Sequence, residues 1–277
     1  MSASAALTSL VVSGTRHGRE MRICLPTPLK IRGKLFGGPE GLFCVPLVAA
    51  SQDELLAQAR TVSALDPDVV EWRSDFYADL GERSVSEAAG ALRSILGDAL
   101  LLFTLRAKAE GGNRELAQNE RVKCVEYAVN SNAFDLVDME LSSGPDVIKP
   151  VIAAAREHNV RVILSFHDFN GTPDNEMLLA KVGAMIENGA DIAKVACMPR
   201  DAFDVLRLLN LTLAAREKFP TVPICTMSMG GAGCITRVAG FLYGSDMAFA
   251  VGDKPSAPGQ IPLQEARQVA ATLLKYA

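Results

Sequence analysis

Lys194 interrupts Ile192-Ala193-Lys194-Val195-Ala196, a run otherwise suited to a buried strand. A lysine is seldom buried without a purpose. Burial and neighbouring cations favour a neutral amine, which can attack a carbonyl and form an imine. The plainer alternative is a lysine paired with a carboxylate such as Glu140 for structure alone. The chain has 3 histidines. His17 lies near the N-terminus and His158 at a helix end ahead of a strand. Only His167, in Leu164-Ser165-Phe166-His167-Asp168-Phe169, follows the C-terminal end of a strand, where an imidazole can move a proton near neutral pH. Arg73, Arg106 and Arg237 fall on or just after strands, and their guanidinium forks suit a carboxylate or paired hydroxyls. Ion pairs with Glu71, Glu110 or Glu140 would account for some of them instead. The loop Gly252-Asp253-Lys254-Pro255-Ser256-Ala257-Pro258-Gly259-Gln260 has the composition to order over a ligand.

These residues need elements that bring them together. Eight short apolar runs provide candidates: Leu42–Val48, Asp68–Trp72, Ala99–Leu105, Leu136–Glu140, Arg161–Phe166, Asp191–Ala196, Val222–Met227 and Asp246–Val251. Strands that are apolar throughout, rather than alternating, indicate a parallel sheet covered by helices. Helix punctuation falls between them. Ser51 with Glu54 and Ser84 with Glu87 have capping-box spacing. Thr172-Pro173 and Gly189 bracket another helix with a cap, an N1 proline and a C′ glycine. Residues 117–131, 146–158, 200–218 and 262–276 also read as helices. Eight βα units imply an α/β fold closed as a (β/α)₈ TIM barrel. An open doubly wound sheet is the alternative, but no G-x-G-x-x-G turn follows the first strand. Ahead of the barrel, Arg22–Leu25 and Leu29–Ile31 read as an N-terminal β-hairpin closing the bottom.

In such a barrel the strand C-termini and the loops after them form the site. That rule gathers Glu71, Arg73, Arg106, Glu110, Glu140, His167, Lys194, Met227, Met229 and Phe249 at one mouth. Composition adds limits. A chain of 277 residues with 49% hydrophobic and 22% charged residues can bury a sizeable core without metal or disulfide staples. A net charge of −4 argues against a dedicated nucleic-acid binder. The 6 cysteines are scattered without a C-x-x-C pair, so reduced thiols and a cytoplasmic location are expected. No apolar run reaches the roughly 20 residues of a membrane span. Residues 1–21 are set apart as an N-terminal extension: a transit peptide, a tail, or a segment ahead of a start at Met21. Residues 22–277 are read as one catalytic domain.

Taken together, these motifs resemble the type I 3-dehydroquinate dehydratases. The resemblance runs from about residue 22 to the C-terminus. It rests on Glu71-Trp72-Arg73-Ser74-Asp75, Phe103-Thr104-Leu105-Arg106 with Glu110-Gly111-Gly112, and Ser165-Phe166-His167-Asp168-Phe169. Lys194 within its strand, Met227-Ser228-Met229-Gly230 leading to Arg237, and Ser256-Ala257-Pro258-Gly259-Gln260 complete it.

The resemblance implies that Lys194 condenses with the C3 ketone of 3-dehydroquinate. It makes His167 the base and then the acid, and Glu110 the carboxylate that orients it. Arg237 would hold the substrate carboxylate, and Glu71, Arg73 and Arg106 its hydroxyls. Ser256, Ala257 and Gln260 would form the lid, while Met227, Met229 and Phe249 form an apolar wall. It further implies no metal or organic cofactor, a homodimer, and a place in the shikimate pathway to aromatic amino acids or in quinate breakdown. Some members carry a serine near the end of the first strand, where this chain reads Val45-Pro46-Leu47, so no contact is expected there. A lysine aldolase on the same barrel shares the imine. A barrel that merely binds sugar acids leaves Lys194 without a purpose.

Overall fold

The computed structural model describes residues 22–277. The expected extension, residues 1–21, lies outside the described residues. The chain opens with a two-stranded antiparallel hairpin, β1 (Leu29–Ile31) and β2 (Lys34–Phe36). The expected pairing of Arg22–Leu25 with Leu29–Ile31 is therefore wrong. The partner strand lies after Leu29–Ile31, because Arg32-Gly33 takes positive φ at both positions (42° and 87°), the geometry of a tight two-residue hairpin. Arg22 instead reaches under the barrel, donating to the carbonyls of Gly38, Phe241 and Ser245 and to Asp246.

Eight parallel strands follow: β3 (Leu42–Leu47), β4 (Val69–Arg73), β5 (Leu100–Thr104), β6 (Leu136–Glu140), β7 (Arg161–Asp168), β8 (Ile192–Cys197), β9 (Ile224–Ser228) and β10 (Met247–Phe249). They pair in sequence order, and β10 pairs back to β3. The circuit closes at β9 and β10 through Asp246, whose backbone N–H donates to Ile224 O at 2.7 Å while its carboxylate accepts from Ile224 N at 2.8 Å. This is the anticipated (β/α)₈ barrel. Between the strands run α1 (Gln52–Ser63), α2 (Glu82–Leu96), α3 (Gln118–Asn130), α4 (Pro145–Glu157), α5 (Asn175–Glu187), α6 (Ala202–Lys218), α7 (Thr236–Ala239) and α8 (Leu263–Tyr276). Among the described residues, no helix is long and apolar enough to cross a membrane.

Of three expected helix caps, one holds and two change. The Ser51 cap holds, with its hydroxyl accepting from Glu54 N and Glu54 reaching back to Ala50 N. Ser84 caps nothing: α2 is capped three residues earlier, at Gly81, and the Ser84 hydroxyl donates to Asp79 O. The Thr172-Pro173 signal also misses, since Asp174 caps α5 by accepting from Met177 N at 2.8 Å. Between β9 and β10 the helix is only one turn of α7 followed by a 3₁₀ turn, which the sequence reading did not anticipate.

Strand alternation sorts the side chains into two cores. Outward residues such as Trp72, Phe103, Val137, Leu164 and Val195 pack against the helices. Inward residues at the strand starts, including Leu42, Val69, Leu100, Leu136, Ile163 and Ile192, meet Ile31 and Phe36 of the hairpin in an apolar plug. One pleat further along β4, β6, β7 and β8, and two along β5, the interior turns polar. Glu71, Thr104, Asp138, Ser165 and Lys194 are all buried there. An apolar bottom layer below a charged upper layer defines which end of the barrel can hold a polar ligand.

Candidate active site

The cavity at the C-terminal mouth encloses about 460 Å³ of space, part of it open to solvent. Of the residues expected at this mouth, Glu140 does not line it; the rest do: the Glu71, Arg73, Arg106 and Glu110 group, His167, Lys194, the Met227, Met229 and Phe249 wall, Arg237, and Ser256, Ala257 and Gln260 of the final loop. Gly111, Phe169 and Ala196 line it as well and were not singled out as site residues.

Lys194 sits on β8 with its side chain 4% exposed. The expected partner Glu140 is not the one it takes. Nζ donates instead to Asp138 on β6 at 2.9 Å, and it lies 4.4 Å above the Phe249 ring. Glu140 is occupied by Arg106 at 2.9 Å, by Ala107 N and by Arg121. Asp138 was missed, although a signal was present. In Leu136-Val137-Asp138-Met139-Glu140 the two-residue strand period puts Asp138 on the same inward face as Glu140, one pleat deeper, where its carboxylate meets the lysine nitrogen.

His167 lies within β7, which extends two residues further than expected, to Asp168. Its Nδ1 meets Glu110 Oε2 at 3.1 Å, and its backbone N–H donates to the same oxygen at 2.9 Å. Ser142 donates to the other Glu110 oxygen at 2.7 Å. Glu110 thus orients the ring through Nδ1 and leaves Nε2 for the cavity. Burial, with Arg106 and Lys194 nearby, holds the imidazole pKa well below its ordinary value. Such a histidine is neutral at pH 7 and ready to accept a proton. Burial also raises the Glu110 carboxyl above its usual range, against the pull of Ser142 and Arg106.

The arginines divide by partner. Arg73 pairs with Asp75, not Glu71, through two parallel bonds of 2.8 Å. Asp75 also accepts from Asn113 N at 2.8 Å, which fastens the Glu110 turn to the end of β4. Arg106 is held by Asp138 and Glu140, and Glu71 accepts from Thr104 instead of an arginine. Arg237 differs from both. Among the described residues it has no acidic partner; it donates to Phe249 O at 3.2 Å and Pro258 O at 3.1 Å, and its Nε has no partner. Burial lowers its pKa to about 10, which still leaves it charged near neutrality. A buried cation without an anion, facing the cavity, is the place for an anionic group of a ligand.

The final loop closes the mouth. Ser256 N donates to Gln260 Oε1 at 2.9 Å, and Gln260 Nε2 returns a bond to Ser256 Oγ. Arg73 and Arg237 reach its carbonyls at Ser256 and Pro258. The site therefore offers an amine, an oriented neutral imidazole and a free guanidinium under one cover. That set can form an imine, move a carbon-bound proton and anchor a carboxylate.

Comparison with known proteins agrees with this arrangement. The model of the type I 3-dehydroquinase family matches residues 43–276. The chain is 43% identical over 250 residues to the 3-dehydroquinate dehydratase of Geobacillus thermodenitrificans (strain NG80-2), covering 90% of this chain and 96% of that protein. The crystal structure of 3-dehydroquinate dehydratase from Geobacillus kaustophilus HTA426 superposes with a TM-score of 0.89 at 42% identity, covering 91% of this chain and 98% of that one. The type I 3-dehydroquinate dehydratase of Clostridium difficile, solved with covalently modified comenic acid, superposes with a TM-score of 0.87 at 34% identity, covering 90% and 99%. With the family model matching nearly the whole barrel and a relative this similar over 90% of the chain, the chain belongs to the type I 3-dehydroquinase family.

Proposed function

We propose that this chain is a 3-dehydroquinate dehydratase that works through an imine on Lys194, with the barrel over residues 22–277 as its one catalytic domain. The observation that carries the reading is the pair formed by Lys194 and Arg237. An amine buried in a strand and a buried guanidinium that has no acidic partner among the described residues face the same cavity. A cyclic substrate with a carboxylate on one ring carbon and a ketone two carbons away satisfies both.

Arg237 takes the C1 carboxylate, and the ring presents its C3 ketone to Lys194 Nζ. The C–N bond forms, the ketone oxygen leaves as water, and the nitrogen becomes a protonated imine. That cation draws electrons from C2 and acidifies its proton. His167 Nε2 removes the proton, oriented by Glu110 on Nδ1. The electron pair then expels the C1 hydroxyl, which leaves as water with the proton that His167 returns. Hydrolysis of the imine gives 3-dehydroshikimate and the free amine. Glu71, Arg73 and Arg106 are assigned to the ring hydroxyls, and Ser256, Ala257 and Gln260 to the cover. Met227, Met229 and Phe249 exclude water from the reacting face. The reaction serves aromatic amino acid synthesis or quinate breakdown.

The direct test is incubation with 3-dehydroquinate while following ultraviolet absorption of the conjugated enone. A steady rise is expected. No rise, or carbon–carbon cleavage products in its place, overturns the reading, the second outcome in favour of a lysine aldolase.

A further inference from the structure

Asp138 has no part in the chemistry above, although it touches the nitrogen on which that chemistry turns. Its side chain is fully buried on β6 and takes three donors. Lys194 Nζ and an Arg106 nitrogen each approach Oδ2 at 2.9 Å, and the Ser165 hydroxyl donates to Oδ1 at 2.6 Å. Arg106 has a second anion in Glu140, so Asp138 is not needed to neutralise it. Lys194 has no other. Among the described residues, Asp138 is the one carboxylate within ion-pair distance of the amine.

The remaining groups near Asp138 reinforce this division. His167 on β7 is held neutral, Glu71 on β4 is bonded to Thr104, and Cys44 and Cys225 lie below as protonated thiols. Burial pushes the Asp138 carboxyl up, but Arg106, then Lys194, outweigh it and hold the group well below the usual carboxylate range. An acid so firmly ionised makes a poor base and a persistent negative charge.

The imine needs such a charge. A cation buried without a counter-ion tends to lose its proton, and an imine nitrogen at the position of Nζ is no exception. Deprotonating carbon beside a neutral imine leaves an anion on nitrogen. Beside a protonated imine it leaves a neutral enamine. We infer that Asp138 is the counter-ion of the Lys194 imine, keeping its single N–H protonated and hydrogen-bonded while the neighbouring carbon gives up its proton. The charges balance. The ammonium and the ketone give C=N–H⁺ and water. Loss of the carbon proton to His167 sends its electron pair through C=N to nitrogen, and loss of hydroxyl restores C=N–H⁺. Nitrogen passes from +1 to 0 and back, while Asp138 stays at −1 throughout.

This inference rests on the imine reading, and the test separates the two. Asp138→Asn keeps the shape and an acceptor oxygen but removes the charge. Its kcat should fall about a hundredfold, the scale for losing one electrostatic stabiliser, with little change in KM. Borohydride reduces protonated imines, so trapping with 3-dehydroquinate should be level from roughly pH 6 to 9 in the parent enzyme and decline with rising pH in the variant. Asp138→Glu should restore part of the rate and the level profile, which a purely structural loss would not. If the Asn variant does not fold, the parent enzyme carrying ¹⁵N-lysine decides the matter. Its imine nitrogen should keep the chemical shift of the protonated form across the same range, and a neutral imine there overturns the proposal. A folded Asn variant with parental kcat and a level trapping profile also overturns it. Absence of any adduct in the parent enzyme would instead remove the imine itself.

Discussion

At the scale of single residues, the chemistry depends on holding a neutral imidazole beside buried cations within one cavity. His167 has to be neutral to act as a base, and burial beside Arg106 and Lys194 holds it so. The rate should therefore lack an inflection near the ordinary histidine value of about 6.5. A profile of kcat/KM against pH should place the acid limb clearly lower, whereas a limb at 6.5 would mean that His167 is not the base. His167→Ala should still form the imine yet dehydrate about 10²- to 10⁴-fold more slowly, the usual worth of a general acid–base group. Mass spectrometry after borohydride, beside a turnover assay, separates those two steps. Lys194, His167 and the arginines were legible because each is a polar exception in an apolar context. Asp138 was not, because two acids share one short strand. Glu140, nearer the strand end, drew the assignment that belonged to its neighbour.

Elements decide how accurately those groups meet. The final loop depends on Gly259, which has φ +78°, and a Cβ there would come within 2.1 Å of Gly230 O. Gly259→Ala should displace the loop carrying Ser256 and Gln260 and loosen the Pro258 carbonyl from Arg237. KM is expected to rise about ten- to a hundredfold, the cost of misplacing a binding group by about 1 Å, while the melting temperature changes little. An unchanged KM would show that the loop does not contribute to binding. Strand and loop order were legible from apolar runs and Gly/Pro-rich stretches. Helix starts were less so. Ser84 has the residue type of a cap but lies inside α2, and α5 takes Asp174 over Thr172, because the cap is set by where the chain leaves the preceding loop.

The whole molecule is a sheet that must close on itself, and the closing seam is built from side chains. Asp246 bridges β9 to β10 and is buried between Arg22, near the start of the described chain, and Arg216 of α6. Asp246→Ala would leave two buried guanidinium groups without their carboxylate. A loss of about 3–5 kcal/mol is expected from breaking such a pair, measured as a lower urea midpoint. A midpoint within error of the parent would mean that the seam closes without it. Acid should weaken the fold too. His167 has a depressed pKa when folded, so its neutral form contributes stability above about 6.5 that declines as pH falls toward the folded value. None of this seam was legible in sequence. Eight βα units announce a barrel, but Arg22, Arg216 and Asp246 are far apart in the chain and carry no local pattern.

The most direct test of the central claim is reduction with borohydride in the presence of 3-dehydroquinate, followed by peptide mass mapping. One equivalent of reduced ligand is expected on the peptide containing Lys194, and none in Lys194→Ala. An unmodified protein, or an adduct on another lysine, would contradict the assignment of Lys194 as the imine-forming residue.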